Sequence, residues 1–476
     1  MKKITILTYL FLILACFIST AQTTVYVSAS GGGDGTSESS PLGNFGNALN
    51  QITSEGDKLV IIGTISTQGI NLTSKSFAFT IEGLDASSTF EGDGGTSRLF
   101  TINNPTSADV TFKNLTFLDN NTTLAGGGVF FNNIAGATAT FENCTFSGNS
   151  VTNNAGGGAI YSSNGSLTIT DCVFENNTSS DKGGAIVAGN SVNVNISGSL
   201  FNGNSATRGG AIAVTGNNVD FVLGTSTFVN NTVSSNGGGA LYLGGNNANS
   251  SITNTTIFNN SVTYTSLNQS RGGGILIEGA RPFTITNSLI YGNIVSDGNG
   301  TAASDIGGPP AVELTLNNSI TQKIEPVLVS VGDGGNDVFS TSITDANLSA
   351  SNLAFNATSG YVEYNTVDEG TDSPIDFGSD GNDVGAWNSG LTLSLDEVLK
   401  SNVSIYMNTD SKTIEINHDL DQSLSVKLFT ILGSSVMEVK NVSKTAILNV
   451  NQLKTGVYIL VGKSSGKYFS KKLLIN

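Results

Sequence analysis

Phe141-Glu142-Asn143-Cys144-Thr145-Phe146-Ser147-Gly148-Asn149 alternates apolar and polar residues and is followed by Gly157-Gly158-Ala159-Ile160. The same order returns as Ile169-Thr170-Asp171-Cys172-Val173-Phe174, then Asn177, then Gly183-Gly184-Ala185-Ile186. Period-two alternation belongs to strands rather than helices. A strand pattern that repeats at a fixed interval calls for a solenoid, in which each repeat is one winding stacked on the last.

Working outward from this stretch, an apolar residue followed three positions later by Asn occurs at Phe117, Phe146, Phe174, Phe201, Phe228, Ile257 and Ile290. The steps are 29, 28, 27, 27, 29 and 33 residues. Glycine halves lie between them at Gly127-Gly128-Val129, Gly157-Gly158-Ala159-Ile160, Gly183-Gly184-Ala185-Ile186, Gly209-Gly210-Ala211-Ile212, Gly238-Gly239-Ala240-Leu241 and Gly273-Gly274-Ile275. Gly307-Gly308-Pro309 reads as the degraded last copy. Coils spaced ~4.8 Å apart put equivalent residues into rows. The Phe/Ile row fills the interior, and the Asn row (Asn120, Asn149, Asn177, Asn204, Asn231, Asn260, Asn293) stands at a turn, bonding to its own backbone and to the neighbouring coil. Cys144 and Cys172 fall in one row of adjacent coils. They read as buried, stacked thiols, although a spacing of ~4.8 Å also permits a disulfide.

The bulk composition agrees with a packed, exported chain. Of 476 residues, 58 are Gly and 7 Pro, 12% are charged, and 38% are hydrophobic at regular spacing, which argues against disorder. A net charge of -16 opposes binding to nucleic acid or to anionic membranes. Lys2 and Lys3 precede an apolar run, Ile4 to Ile18, and then Ser19-Thr20-Ala21, the pattern of a signal peptide (1–21) cleaved between Ala21 and Gln22. The alternative is a lipoprotein box at Cys16, against which Leu14 is bulky. No later segment is apolar enough to span a bilayer, so none is expected in the mature chain. Two remaining cysteines are too few for a disulfide scaffold.

The Gly-Gly-Ala-Ile and Phe-x-x-Asn copies resemble the repeats of polymorphic outer-membrane proteins, over about residues 105 to 310. The resemblance implies a pectin-lyase-like, right-handed parallel β-helix, here placed at 59–388. Ahead of it, 22–58 holds a strand at Val25 to Ser28 and a helix at Leu42 to Ile52 that caps the first coil. Asp383-Val384-Gly385-Ala386-Trp387 resembles the closing segment of such solenoids.

After a linker at 389–401, residues 402–476 change character. Seven short alternating strands (Ser404–Met407, Thr413–Ile416, Ser425–Ile431, Val436–Val439, Ala446–Val450, Val457–Val461, Tyr468–Ile475) suggest a small β-sandwich. Leu428 to Gly433, Leu453-Lys454-Thr455-Gly456-Val457-Tyr458-Ile459 and the terminal Lys471-Lys472-Leu473-Leu474-Ile475-Asn476 resemble the type A sorting domain of type IX secretion substrates in Bacteroidetes. Met407-Asn408-Thr409 departs from that family's usual Pro-Asn-Pro opening. The resemblance implies the type IX secretion machinery as partner, passage across the outer membrane, then release or attachment to surface lipopolysaccharide with the tail removed. The fold class is therefore all-β, a right-handed parallel β-helix followed by a small C-terminal β-sandwich.

Candidate chemistry is sparse. The chain's single histidine, His418, lies in the tail, so the β-helix cannot form a Ser-His-Asp or Cys-His arrangement or a histidine metal site. Lys182 and Arg208 each precede a glycine pair in adjacent coils, with Arg271 near the same corner, and stacked cations suit uronate carboxylates. The bland reading is a solvated position with Asp181 as counter-charge. Arg281-Pro282 matches only a fragment of the pectate lyase signature. Glu142, Asp171 and Glu175 are the nearest carboxylates for sugar hydrolysis, but the two Glu residues should face solvent. Gly332 to Asp337 resembles one copy of a calcium-binding Gly/Asp nonapeptide, which makes Asp333 and Asp337 the calcium candidates; such sites need stacked copies, and no other cofactor is expected. The leading reading is a secreted or cell-surface, non-enzymatic adhesin that contacts extracellular polysaccharide through polar Ser/Thr/Asn faces. The alternative is a polysaccharide lyase or glycoside hydrolase of the pectin-lyase-like class.

Overall fold

The computed structural model describes residues 22–339 apart from 73–74, 93–95, 104–107, 133–135, 153, 155, 236, 246–249, 264–271, 280–282, 298–299, 310–312, 318, 326–327 and 332–337. It also describes 353–356, 361–364 and 403–475 apart from 409–411, 419–423, 431–434, 443, 454–455 and 465–466. The chain divides into two compact units, Met1–Trp387 and Asn388–Asn476.

The first unit is a parallel β-solenoid. One coil runs through Thr138–Glu142, Thr145–Ser147, Ser150–Val151 and Ile160–Ser163 before the next begins at Gly165. Apart from two antiparallel hairpins, Ile294–Asp297 with Gly300–Ala303 and Leu353–Asn356 with Tyr361–Tyr364, the described strands pair in parallel with their counterparts one coil on, as in Phe146↔Phe174 and Ile160↔Ile186. Four sheets of twelve, eleven, eight and ten strands result among the described residues. The corners fall where the sequence can take left-handed backbone. Asn114, Asn143, Asp171, Gly198, Thr225, Asn254 and Asn287 form one such column between the twelve- and eleven-stranded sheets. Asp119, Gly148, Asn176, Gly203, Asn230, Asn259 and Gly292 form the next. At Gly183-Gly184 the first glycine takes φ 57°, and a Cβ on the second would collide with the Gly210 carbonyl of the next coil.

Inside, Phe117, Phe146, Phe174, Phe201 and Phe228 stack ring on ring at 4.4–4.7 Å and within 5° of parallel. All five are fully buried. The Asn row is buried too, and its amides are donors in two directions. Asn177 Nδ2 donates to the Phe146 carbonyl (2.9 Å) and to Asn204 Oδ1 (3.0 Å), and Asn204 repeats this toward Phe174 and Asn231. A second inner row, Cys144, Cys172, Ser199, Ser226, Thr255, Ser288 and Ser319, works alike: the Cys172 amide donates to Ser199 Oγ (3.1 Å), which donates to the Ser197 carbonyl (2.9 Å). Both cysteines are free and buried, so the stacked-thiol alternative is the one observed.

Two boundaries differ from expectation. The capping helix spans Phe45–Gln51, not Leu42–Ile52, because Leu42 is drawn into a bridge with Val27 while Asn44 caps the helix by accepting from the Asn47 amide. The last glycine copy is not Gly307-Gly308-Pro309. A hairpin of Ile294–Asp297 with Gly300–Ala303 is inserted, Ile306 pairs with Ile275, and Ser304-Asp305 stands where Gly273-Gly274 stood one coil earlier.

The second unit has three antiparallel strands (Val403–Asn408, Thr413–His418, Thr445–Asn449) and four more (Leu424–Thr430, Ser435–Val442, Gly456–Ser464, Lys467–Ile475), a small β-sandwich. Ile414, Ile416, Leu424, Val426, Leu428, Tyr458, Leu460 and Ile475 form its core. The Asp383–Trp387 segment lies outside the described residues.

Candidate functional site

Lys182 and Arg208 do share a corner, their backbones paired in register across adjacent coils. Their side chains, however, turn to separate partners. Lys182 Nζ lies 3.3 Å from Asp181. The Arg208 guanidinium lies 5.6 Å over the Tyr242 ring, an outward residue of the ten-stranded sheet one coil on, and Tyr242 donates to Glu278 Oε2 at 2.7 Å. Burial, aided by the Glu278 carboxylate, pushes the Tyr242 phenol up to about 12. Arg98 repeats the device, 4.2 Å over Phe130, which in turn stacks on Tyr161 at 5.5 Å. Arg98 and Arg208 thus act as clips over the next coil's aromatic ring, whereas Lys182 does not. Sequence reasoning missed Arg98, Tyr242 and Glu278, although an aromatic at the third position after Gly127, Gly158 and Gly239 (Phe130, Tyr161, Tyr242) was the available signal. Arg271, Arg281 and Pro282, like Asp333, Asp337 and Ala21, lie outside the described residues.

The carboxylates do not converge. Glu142 pairs with Lys113 at 2.8 Å, Asp171 occupies a corner with φ 53°, and Glu175 pairs with Ser147 and Asn202 in the eleven-stranded sheet. Among the described residues no three His, Cys, Asp or Glu side chains gather as metal ligands. His418 is buried in the second unit, its Nε2 3.1 Å from the Val442 carbonyl.

The outer face of the twelve-stranded sheet has a different character. Its inward residues, Ile169, Ile196, Leu223, Ile252, Ile285 and Leu316, are core. Alternation then fixes what must point outward. One outward row reads Thr168, Asn195, Val222, Ser251, Thr284, Thr315, and the adjacent one Thr170, Ser197, Gly224, Thr253, Thr286, Asn317. None of these twelve is charged, in a chain of net charge -16. The rows run ~4.8 Å apart along the axis and ~6.7 Å across it, so hydroxyls and amides repeat as a grid. Toward the first coils the face carries charge as the self-neutralised pairs Lys58–Glu82 (2.6 Å) and Lys113–Glu142, and beside the two rows Asp220, in register with Asn193, adds a carboxylate at the start of its strand.

Two family models match the chain. Residues 404–476 match the secretion system C-terminal sorting domain. Residues 143–163 and 171–189 match the Chlamydia polymorphic membrane protein repeat. No curated protein matches. The chain thus combines a polymorphic-membrane-protein-like β-solenoid with a type IX sorting tail. That tail addresses it, through the secretion machinery, to the cell surface or outer membrane. Among the described residues no helix is long and apolar enough to cross a membrane.

Proposed function

We propose that the exported solenoid is a non-enzymatic adhesin that contacts neutral extracellular polysaccharide along the outer face of the twelve-stranded sheet. In this reading the signal peptide 1–21 is removed, 22–58 caps the helix of 59–388, and the linker 389–401 joins it to the 402–476 tail that directs export. The observation that carries the reading is the uncharged double row from Thr168/Thr170 to Thr315/Asn317. A grid of hydroxyls and amides offers donors and acceptors to a hydroxylated polymer at many weak points, and repetition turns weak contacts into avidity. An acidic chain in which Lys182 and Arg208 are already engaged favours a neutral polymer over a uronate one.

The test is glycan-array binding by the purified protein and by a Thr253→Lys/Thr284→Lys variant, which places two charges on the grid. At least a tenfold loss of neutral-glycan binding at unchanged melting temperature supports the reading. Equal binding by both proteins removes the grid from it.

A further inference from the structure

A groove of about 300 Å³ opens where the twelve-stranded sheet turns into the eleven-stranded one in the early coils. Leu84, Asp85, Ala86, Asn114, Leu115, Thr116, Asn143 and Thr145 line it. The loop above it is ordered by its own bonds: Ser87 donates to Asp85 Oδ1 from its amide (2.8 Å) and hydroxyl (2.6 Å), and Ser88 Oγ donates to the Ile61 carbonyl at 2.8 Å. The two bonds from Ser87, hydroxyl first and then amide, hold the Asp85 carboxyl below the usual carboxylate range.

On the opposite wall the left-handed corners at Asn114 (φ 55°) and Asn143 (φ 50°) turn their carboxamides into a column. Asn143 Nδ2 donates to Asn114 Oδ1 at 2.9 Å, and Asn114 Nδ2 lies 3.4 Å from Glu82 Oε1. Each amide nitrogen carries a second N–H beyond the one so used. The in-register Thr116 and Thr145 add hydroxyls, and Leu84, 37% exposed, adds an apolar edge. The volume sits at the small end of ligand sites, ~300–1,000 Å³.

We propose that this groove holds one neutral sugar unit of the glycan that lies on the sheet face. A carboxylate acceptor, amide donors, hydroxyls of both kinds and a small apolar edge match a polyol with an apolar ring face. No cation lines the groove, and Asp85 would repel a uronate or sulfated unit. The inference rests on the neutral-glycan reading above and assigns a fixed point to it.

The experiment uses the full mature protein against arrayed neutral gluco-, manno- and galacto-oligosaccharides, with trigalacturonate as the acidic comparison. Asn114→Gly/Asn143→Gly keeps both left-handed corners and deletes both amides; Asp85→Ala removes the acceptor. The expected result is a tenfold or greater loss of neutral-oligosaccharide affinity in both variants, with melting temperature and far-ultraviolet dichroism as in the wild type. If the wild type binds and both groove variants bind equally well, the groove is overturned while the sheet-face reading stands. If the wild type binds only trigalacturonate, or no glycan, both are overturned.

Discussion

Asn293 Nδ2 donates to Oδ1 of Asp305 at 2.8 Å, and there the buried column of carboxamides ends. From Asn149 to Asn293 each side chain accepts from the Asn before it and donates onward to the next. Past Asn293 the direction reverses. The amides of Gln322 (2.7 Å) and Lys323 (3.0 Å) donate back to Asp305 Oδ2. Donors converge from both sides, and only an acceptor-only side chain satisfies them.

Asp305→Asn, sterically the mildest exchange, turns an NH2 group toward those converging N–H donors. It should destabilise the solenoid by about 1–3 kcal/mol, the cost of leaving buried polar groups unsatisfied. Denaturant melts of the two proteins check this; equal stability would show that the column tolerates an amide at its end.

Asp305 also sets a pH dependence. Burial pushes its carboxyl up to about 6 from the ordinary 3.8, against the pull of the Asn293, Gln322 and Lys323 donors. The folded state therefore holds the proton more tightly than the unfolded chain. The ionised form is a cost at neutral pH that is relieved as pH falls through 6 and is gone below about 4. The increment is on the order of 3 kcal/mol at 1.36 kcal/mol per unit. Tyr291, the ionisable neighbour, stays neutral throughout this range, its phenol raised by burial and by Asp305. The difference in unfolding free energy between wild type and Asp305→Asn, measured from pH 7 to pH 4, should widen in favour of wild type.

Thr225 holds φ 41° in a column otherwise filled by Asn, Asp and Gly. A β-branched residue is strained there. Thr225→Asn should raise stability by about 1 kcal/mol, read as a higher melting temperature. A fall would mean the Thr225 side chain does something its backbone does not reveal.

Cys172 Sγ stands 3.3 Å from the Thr170 carbonyl and accepts the Cys144 amide at 3.4 Å, the part that Ser199 plays one coil on. Burial raises the neighbouring Cys144 thiol well above its usual value, which keeps it protonated. Cys172→Ser should change stability by less than about 1 kcal/mol, whereas Cys172→Val should cost about 1–3 kcal/mol by orphaning the Cys144 amide. Thermal melts of both variants decide it.

The columns themselves were legible because a residue repeated every 27 to 33 positions has only one place to go in a stacked coil. Phe146, Phe174 and Phe201 needed no other information. The seven strands of the tail were legible for the same local reason, alternation between polar turns. What stayed hidden depends on contacts between columns rather than within one. Asp305 stands in the small-residue column of Ala185, Ala211 and Ala240 and reaches across to Asn293, and aligning on Gly307-Gly308 instead of Ile306 concealed it. The Ser199–Ser319 hydroxyl column escaped because serine is common throughout the chain. Lys182 and Arg208 were rightly paired in register, but the direction of the Arg208 side chain is set by Tyr242, a residue in another sheet of the next coil.

Salt dependence tests the proposed role most directly. Binding of the mature protein to a neutral glucan and to polygalacturonate should be measured at 0.05 M and 1 M sodium chloride, where screening lengths shrink from roughly 14 Å to 3 Å. Contact through the uncharged rows from Thr168 to Asn317 predicts retention of the neutral polymer at both salt concentrations and no retention of polygalacturonate at either. Retention of polygalacturonate that fades with salt, and is lost on Lys182→Ala, would contradict it and move the binding site to the basic corner.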